Sequence, residues 1–220
     1  MEETTSKEKM LKSIRNALIH KSVNPYPGVD LESSIYHQQT DSPDLTFAEE
    51  FTKVNGQFVY CEDVMSLVDN LKIMAEERGW SKVFSFDSQL TKVLDAAGIV
   101  HSSKKEDFAD LQVAVTFCEY LVARLGSVLI SSRQTAGRRL NIFPEIHVVV
   151  AMASQIVPDI ENAMSAIREK YRGRLPSLIS LHTGPSRTAG IEPALVIGGH
   201  GPKEVFVFLV DDTPILPKDE

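Results

Sequence analysis

Two short segments carry the residue types best suited to chemistry. The first, His182-Thr-Gly-Pro-Ser-Arg-Thr-Ala-Gly190, is a dense run of small, polar and turn-forming residues. Glycines let backbone N–H groups approach an anion, and Ser186, Arg187 and Thr188 add side-chain donors. The second, Gly198-Gly-His-Gly-Pro202, sets His200 among three glycines, an open backbone setting unsuited to a buried packing histidine. Together they predict a pocket for a small carboxylate or phosphorylated ligand. Gly184, Pro185, Ser186, Arg187 and Thr188 would form one side, with His200, Gly201 and Pro202 across from them. Two competing expectations stand beside this one. The arginine caps a helix or pairs with Glu192, and His200 occupies a plain exposed turn.

Charge distribution points to the same region. The chain carries 23 Lys+Arg against 30 Asp+Glu, a net charge of −7. Yet between Glu119 and Glu145 the only charges are Arg124, Arg133, Arg138 and Arg139. Between Glu169 and Glu192 they are Lys170, Arg172, Arg174 and Arg187, with His182 alongside. Arg133 and Arg187 each follow a predicted strand end, and α/β sheets bind ligands beyond the carboxyl ends of their strands. Guanidinium forks grip carboxylates and phosphates through paired hydrogen bonds, so Arg133 or Arg124 is expected to close the pocket. Pairing with surface acids is the alternative for each arginine.

Other chemistries fail on spacing. The Gly-Pro-Ser-Arg-Thr run lacks the Gly-Lys-Ser/Thr end of a P-loop, and neither Gly-x-Gly-x-x-Gly nor Gly-x-Ser-x-Gly occurs. The six histidines are scattered without His-x-x-x-His spacing, so no metal site is expected. Cys61 and Cys118 stand far apart without a Cys-x-x-C pair, too few to hold an iron–sulfur cluster or a disulfide framework. Cys118 reads as a small buried hydrophobe. The acidic balance opposes nucleic-acid binding, whose phosphate contacts need a basic surface. The longest apolar runs fall well short of a membrane span, and Met1-Glu-Glu-Thr-Thr5 has no secretory character. A cytoplasmic location is the resulting expectation.

With 220 residues, 43% hydrophobic and 24% charged, the chain has the composition of one globular domain with an appendage. A capping box at Thr5–Glu8 opens an amphipathic helix to about His20, and proline-rich residues 22–45 read as an extended arm. A second capping box at Thr46–Glu49 opens a short helix closed by Asn55-Gly56. Beyond it, apolar runs at 57–61, 82–86, 111–115, 127–131, 146–151, 178–181, 194–197 and 205–210 alternate with helical patterns at 64–79, 90–97 and 160–171. A helix is one of the conformations open to the short segment around Glu119. This alternation predicts an α/β fold, a mostly parallel sheet flanked by helices. The domain would span 46–220 and the N-terminal helical arm 1–45.

Residues Thr183 to Glu192, then Leu195-Val-Ile-Gly-Gly-His-Gly-Pro202, then a strand ending at Asp211, resemble the signature of the LUD-domain (lactate utilisation protein C) family. Val115-Thr-x-x-Glu119, the Gly126-Ser127 step and Pro144-x-Ile-His147 agree with it. The resemblance implies a fold similar to the sugar-phosphate isomerase and CoA-transferase type. It further implies a part in oxidising L-lactate to pyruvate with separate iron–sulfur subunits, so this chain would carry no intrinsic cofactor and the clusters would sit only on those partners. The matching positions are Thr116, Glu119, Gly126, Gly184, Pro185, Ser186, Arg187, Thr188, Glu192, His200, Gly201 and Pro202. Relatives usually have Glu-Thr-Gly-Thr where this chain has Arg124-Leu-Gly-Ser127, and Asp where it has Gly190. Each departure removes an acid.

Three functions therefore compete at the level of sequence. The chain is a lactate-utilisation subunit holding a small carboxylate, a stand-alone binding or transferase-like protein for a phosphorylated or CoA-linked metabolite, or a non-catalytic scaffold.

Overall fold

The computed structural model describes residues 5–19, 26–30, 41–104, 106, 111–189 and 195–212. The chain divides into two units, residues 1–38 and 39–220. In the first, α1 (Ser6–Ile19) starts at the expected capping box. The Thr5 amide donates to Glu8 Oε2 at 2.9 Å, and the Glu8 amide donates to Thr5 Oγ1 at 3.3 Å. Most of the arm expected over 22–45 lies outside the described residues.

The second unit opens with α2 (Pro43–Lys53), three residues ahead of the predicted start. Pro43 explains the shift. Its fixed φ suits the first helical position, and the N-cap role passes to Ser42 in place of Thr46. The remaining helices are α3 (Val64–Arg78), α4 (Ser88–Ala96) and α5 (Ile160–Lys170), capped by Asp63, Asp87 and Asp159. The strands are β1 (Gln57–Cys61), β2 (Val83–Phe84), β3 (His101–Ser102), β4 (Val113–Phe117), β5 (Tyr120–Val122), β6 (Ser127–Ser131), β7 (Ile146–Met152), β8 (Ile156–Val157), β9 (Ile179–His182), β10 (Arg187–Ala189), β11 (Leu195–Ile197) and β12 (Glu204–Val210).

Among the described residues, six strands form a parallel sheet in the order β1-β12-β7-β4-β2-β3. β12 shows why it must be buried on both faces. Val205, Val207 and Leu209 enter one core, while Phe206, Phe208 and Val210 enter the other. Helices α3 and α4 cover the second of these faces. The first is covered by α2 and by a smaller sheet in the order β8-β5-β6-β9, whose far side packs on α5 through Ala163 and Ile167.

That smaller sheet adds two features that the sequence pattern did not specify. The segment after Glu119, for which a helix was one option, is strand β5, with only the short 3-10 turn Ala123–Leu125 behind it. Leu121 and Val122 must face opposite cores, which alternation along a strand provides and a helix does not. In addition, beside the parallel sheet that was expected, β6 pairs antiparallel to both β5 and β9, so the strand ends after Ser131 and His182 do not align. Among the described residues no helix is long and apolar enough to cross a membrane.

Glycines fix how α2 seats on the domain. Gly126 has φ +54°, and a Cβ there would fall on the backbone of Phe51. Gly79, the C-cap of α3, has φ +61° but open space around it. Gly126→Ala should therefore cost about 2–4 kcal/mol, combining backbone strain with the displacement of α2, and Gly79→Ala about 1 kcal/mol. Urea unfolding of both variants checks this; equal losses would mean that α2 is not held at Gly126.

Candidate functional site

In the parallel sheet the chain leaves β2 toward one edge, through α4 to β3, while β4 leads the other way to β7 and β12. The carboxyl ends of β2 and β4 thus flank the topological switch point, where such sheets place their ligands. A crevice of about 260 Å³ opens there. Ser85 and Asp87 line it from the β2–α4 loop, Thr116 from β4, and Gln134, Gln155 and Lys170 from the facing layers.

Behind this crevice lies a buried carboxylate. Glu119 Oε1 accepts from the Ser131 hydroxyl at 2.5 Å and the Tyr171 hydroxyl at 2.6 Å, while Oε2 accepts from Lys170 Nζ at 2.7 Å. Burial alone would raise this carboxyl group, but the bonds from Lys170, Ser131 and Tyr171 outweigh it and hold Glu119 below its ordinary range. The Lys170 side chain is 48% exposed, so its ammonium bridges the buried acid and the crevice. Arg133, whose guanidinium carbon lies 6.0 Å from the Tyr171 ring centroid, adds a second positive charge beside the cluster.

Thr116 carries a further anchored polar group of the crevice. Its Oγ1 lies 2.8 Å from Nε2 of His147, a ring buried in the apolar run of β7. Burial, with His182 nearby, pushes His147 down to about 3, so the ring is neutral at ordinary pH.

The remaining sequence-predicted residues lie elsewhere. Antiparallel pairing of β6 and β9 puts their carboxyl ends, which precede Arg133 and Arg187, at opposite ends of the smaller sheet, roughly 14 Å apart along a five-residue strand. Arg187 donates to the carbonyl of Val54 at the C-cap of α2, which is the helix-capping alternative. Gly184, at φ +70°, packs so closely on that carbonyl that a Cβ would strike it. Ser127 Oγ meets Thr183 Oγ1 at 2.8 Å. Arg124 pairs with Asp159 at 2.8 Å, on the N-cap of α5.

The two glycine loops do meet, but at the amino end of the parallel sheet. The Ser186 amide donates to the Pro202 carbonyl at 2.8 Å, and the Gly198 amide to the Ser186 carbonyl at 2.9 Å, so these amides serve each other. A Cβ on Gly201 would come within 2.9 Å of Ser186. Pro185 and Pro202 are buried in this junction, while His200 is exposed beside a second crevice of about 540 Å³. The side chain of Thr188 lies outside the described residues. Thr116, Glu119 and Arg133 thus belong to the carboxyl end, and Gly184 to Arg187 with His200 to Pro202 belong to the other.

The model of the LUD domain matches residues 46–210. The chain belongs to the LUD domain family. The match spans both ends of the parallel sheet and leaves out α1. Lactate utilization protein C of Bacillus subtilis (strain 168) is 36% identical over 102 residues, covering 46% of this chain and 42% of that protein. Lactate utilization protein C of Geobacillus kaustophilus is 34% identical over the same length and shares. Lactate utilization protein C 1 of Bacillus mycoides is 29% identical over 166 residues, 67% of this chain and 70% of its own. The match to the first two spans less than half of their length. A DUF162 family protein from Deinococcus radiodurans, 17% identical, superposes with a TM-score of 0.54 over 76% of this chain and 96% of its own, which shows a shared fold.

Sequence reasoning missed Lys170, Tyr171 and Ser131 as partners of Glu119, and Asp87 and Gln155 as lining of the crevice. Lys170 was visible as the first cation of an acid-free stretch, and His147 as a polar residue inside an apolar strand. What the sequence lacks is the pairing of Lys170 with an acid 51 positions away.

Both buried groups make stability fall in acid. The folded values of His147 and Glu119 are depressed, so each contributes stability above its unfolded value, near 6.5 and 4.5, and that contribution is lost as pH falls toward the folded value. Urea midpoints measured from neutral pH downward should drop in two stages. Glu119→Gln should remove the lower stage and cost about 2–3 kcal/mol at neutral pH, less than a fully buried pair because Lys170 is half in solvent. A Glu119→Gln profile that superimposes on wild type would refute the assignment.

Proposed function

We propose that this chain serves lactate utilisation by holding a small hydroxy- or oxo-carboxylate in the crevice between the ends of β2 and β4, alongside separate iron–sulfur subunits. One observation carries the reading. The Lys170 ammonium, fixed by the buried carboxylate of Glu119, stands at a crevice on the switch point of the sheet. An ammonium has three donors, and Glu119 takes one. The others are available to a ligand carboxylate, with Arg133 adding to the local positive potential. The crevice volume suits a metabolite of a few heavy atoms and is too small to enclose a CoA-linked one. The names of the related proteins support lactate as the metabolic context.

The placement of sulfur supports this division of labour. Cys61 packs among the residues under α3 and α4, whereas Cys118 packs on the opposite face of the sheet. Burial pushes the Cys118 thiol up to about 12, far from the thiolate that a metal or a nucleophilic role needs. Oxidising a hydroxy acid to an oxo acid releases two electrons and two protons, and the iron–sulfur acceptors are assigned to the partner chains. This chain's own residues bind and orient the carboxylate.

Calorimetric titration with lactate, pyruvate, inorganic phosphate and CoA tests the reading. Lactate or pyruvate should bind to wild type, and Lys170→Met should weaken that binding at least tenfold, as expected for loss of one charge-assisted bond. Arg187→Ala should leave affinity unchanged, because its guanidinium serves α2. Loss of binding in Arg187→Ala with none in Lys170→Met would move the site to the amino end of the sheet. Tighter binding of CoA or phosphate than of either acid would overturn the lactate role. The purified chain alone should also fail to reduce a dye with lactate; lactate-dependent reduction would defeat the division of labour.

A further inference from the structure

The bond between Thr116 and His147 has a direction that the surrounding packing decides. His147 is fully buried and neutral, so its ring carries one N–H, on either Nδ1 or Nε2. Nε2 faces Thr116 Oγ1 at 2.8 Å, while Nδ1 is buried with no hydrogen-bond partner among the described residues. Suppose the proton is on Nδ1. A sealed N–H donor is then left without an acceptor, one of the costlier defects of a protein interior. Thr116 would spend its hydroxyl proton on Nε2, and the crevice would face a spent group. With the proton on Nε2 instead, the sealed atom is only a bare lone pair. His147 donates to Thr116 Oγ1, and the Thr116 hydroxyl proton is released. That proton has no acceptor among the described residues, but Thr116 lines the crevice, where a ligand oxygen can take it.

We infer that His147 is a positioning residue, protonated on Nε2, which turns the Thr116 hydroxyl into a donor aimed at an acceptor oxygen of the crevice ligand. This rests on the reading of the crevice as a carboxylate site and adds the residue that recognises the ligand without charge. Lys170 supplies the counter-charge from one wall, and Thr116 supplies a neutral donor from the end of β4. An acceptor-bearing ligand, whether through a carboxylate or an oxo oxygen, satisfies both. A ligand that presents only a hydroxyl proton to Thr116 does not.

The direction can be read without any ligand. Nitrogen-15 correlation spectra of the ring in the ligand-free protein at neutral pH should show His147 as the Nε2–H form; an Nδ1–H ring overturns the inference. Titration with sodium lactate and sodium pyruvate reads the consequence. Thr116→Val, similar in shape, should weaken binding about tenfold, while Thr116→Ser, which keeps the hydroxyl, should stay within a few-fold of wild type. Undiminished binding in Thr116→Val, or an equal loss in both variants, counts against a donor role. If wild type binds neither acid, the crevice reading falls and the ligand role of Thr116 falls with it. The spectrum still decides which way the buried bond points.

Discussion

Glu119 sits where the chain leaves the parallel sheet at β4 and enters the smaller, mixed one at β5. Its carboxylate takes donors from the end of β6 through Ser131 and from the end of α5 through Lys170 and Tyr171. Its amide donates to Leu129 at 2.8 Å, and its carbonyl accepts from Gln155. An ionised carboxylate in such a place costs several kcal/mol in lost hydration, and only a full set of donors offsets that cost. Three separate elements must therefore arrive together for any of them to be stable there. Lys170 gains further from its position, since the last turn of α5 presents the negative end of the helix dipole. The crevice inherits its shape from this convergence.

The residues that make the family recognisable do mostly different work. Gly126 and Gly184 are close approaches of backbone to α2, and Arg187 caps its end. Ser186, Gly198 and Pro202 tie two loops by main-chain bonds. Gly126 and Gly184 are intolerant because a side chain there would displace the backbone of Phe51 or Val54. A glycine-rich loop followed by a helix or strand invites an anion-binding interpretation, yet its amides are available only when nothing in the chain accepts from them. Here the Ser186 and Gly198 amides already have acceptors across the loop junction.

Much of the fold was legible because burial leaves a period in the sequence. The unbroken apolar run of β12, the helical spacing of α3, α4 and α5, and the capping box of α1 are local features, and local chemistry decides them. Strand order and direction are not local. Nothing within Ser127–Ser131 states that its neighbours run antiparallel, and that one fact separates Arg133 from Arg187. Strands β3 and β8, two residues each, fall below any periodic signal. The site suffered most, because its chemistry comes from pairings such as Glu119 with Lys170 and Thr116 with His147, which only the completed sheet brings together.

The two supports of the crevice also differ in kind, and the difference has consequences for binding. Lys170 is held by a charge that must stay ionised, whereas Thr116 is held by a ring that must stay neutral. Burial acts against ionisation in both, and only Glu119 has the donors to overcome it. Both conditions are met together around neutral pH, with neither support needing to move when a ligand arrives. Donors already locked in place spare the ligand the cost of ordering them, and that saving is largest for a small molecule with few contacts to offer. A crevice of this size can therefore hold a compact acid only if its polar groups are set in advance, and the buried acid and the buried imidazole set them.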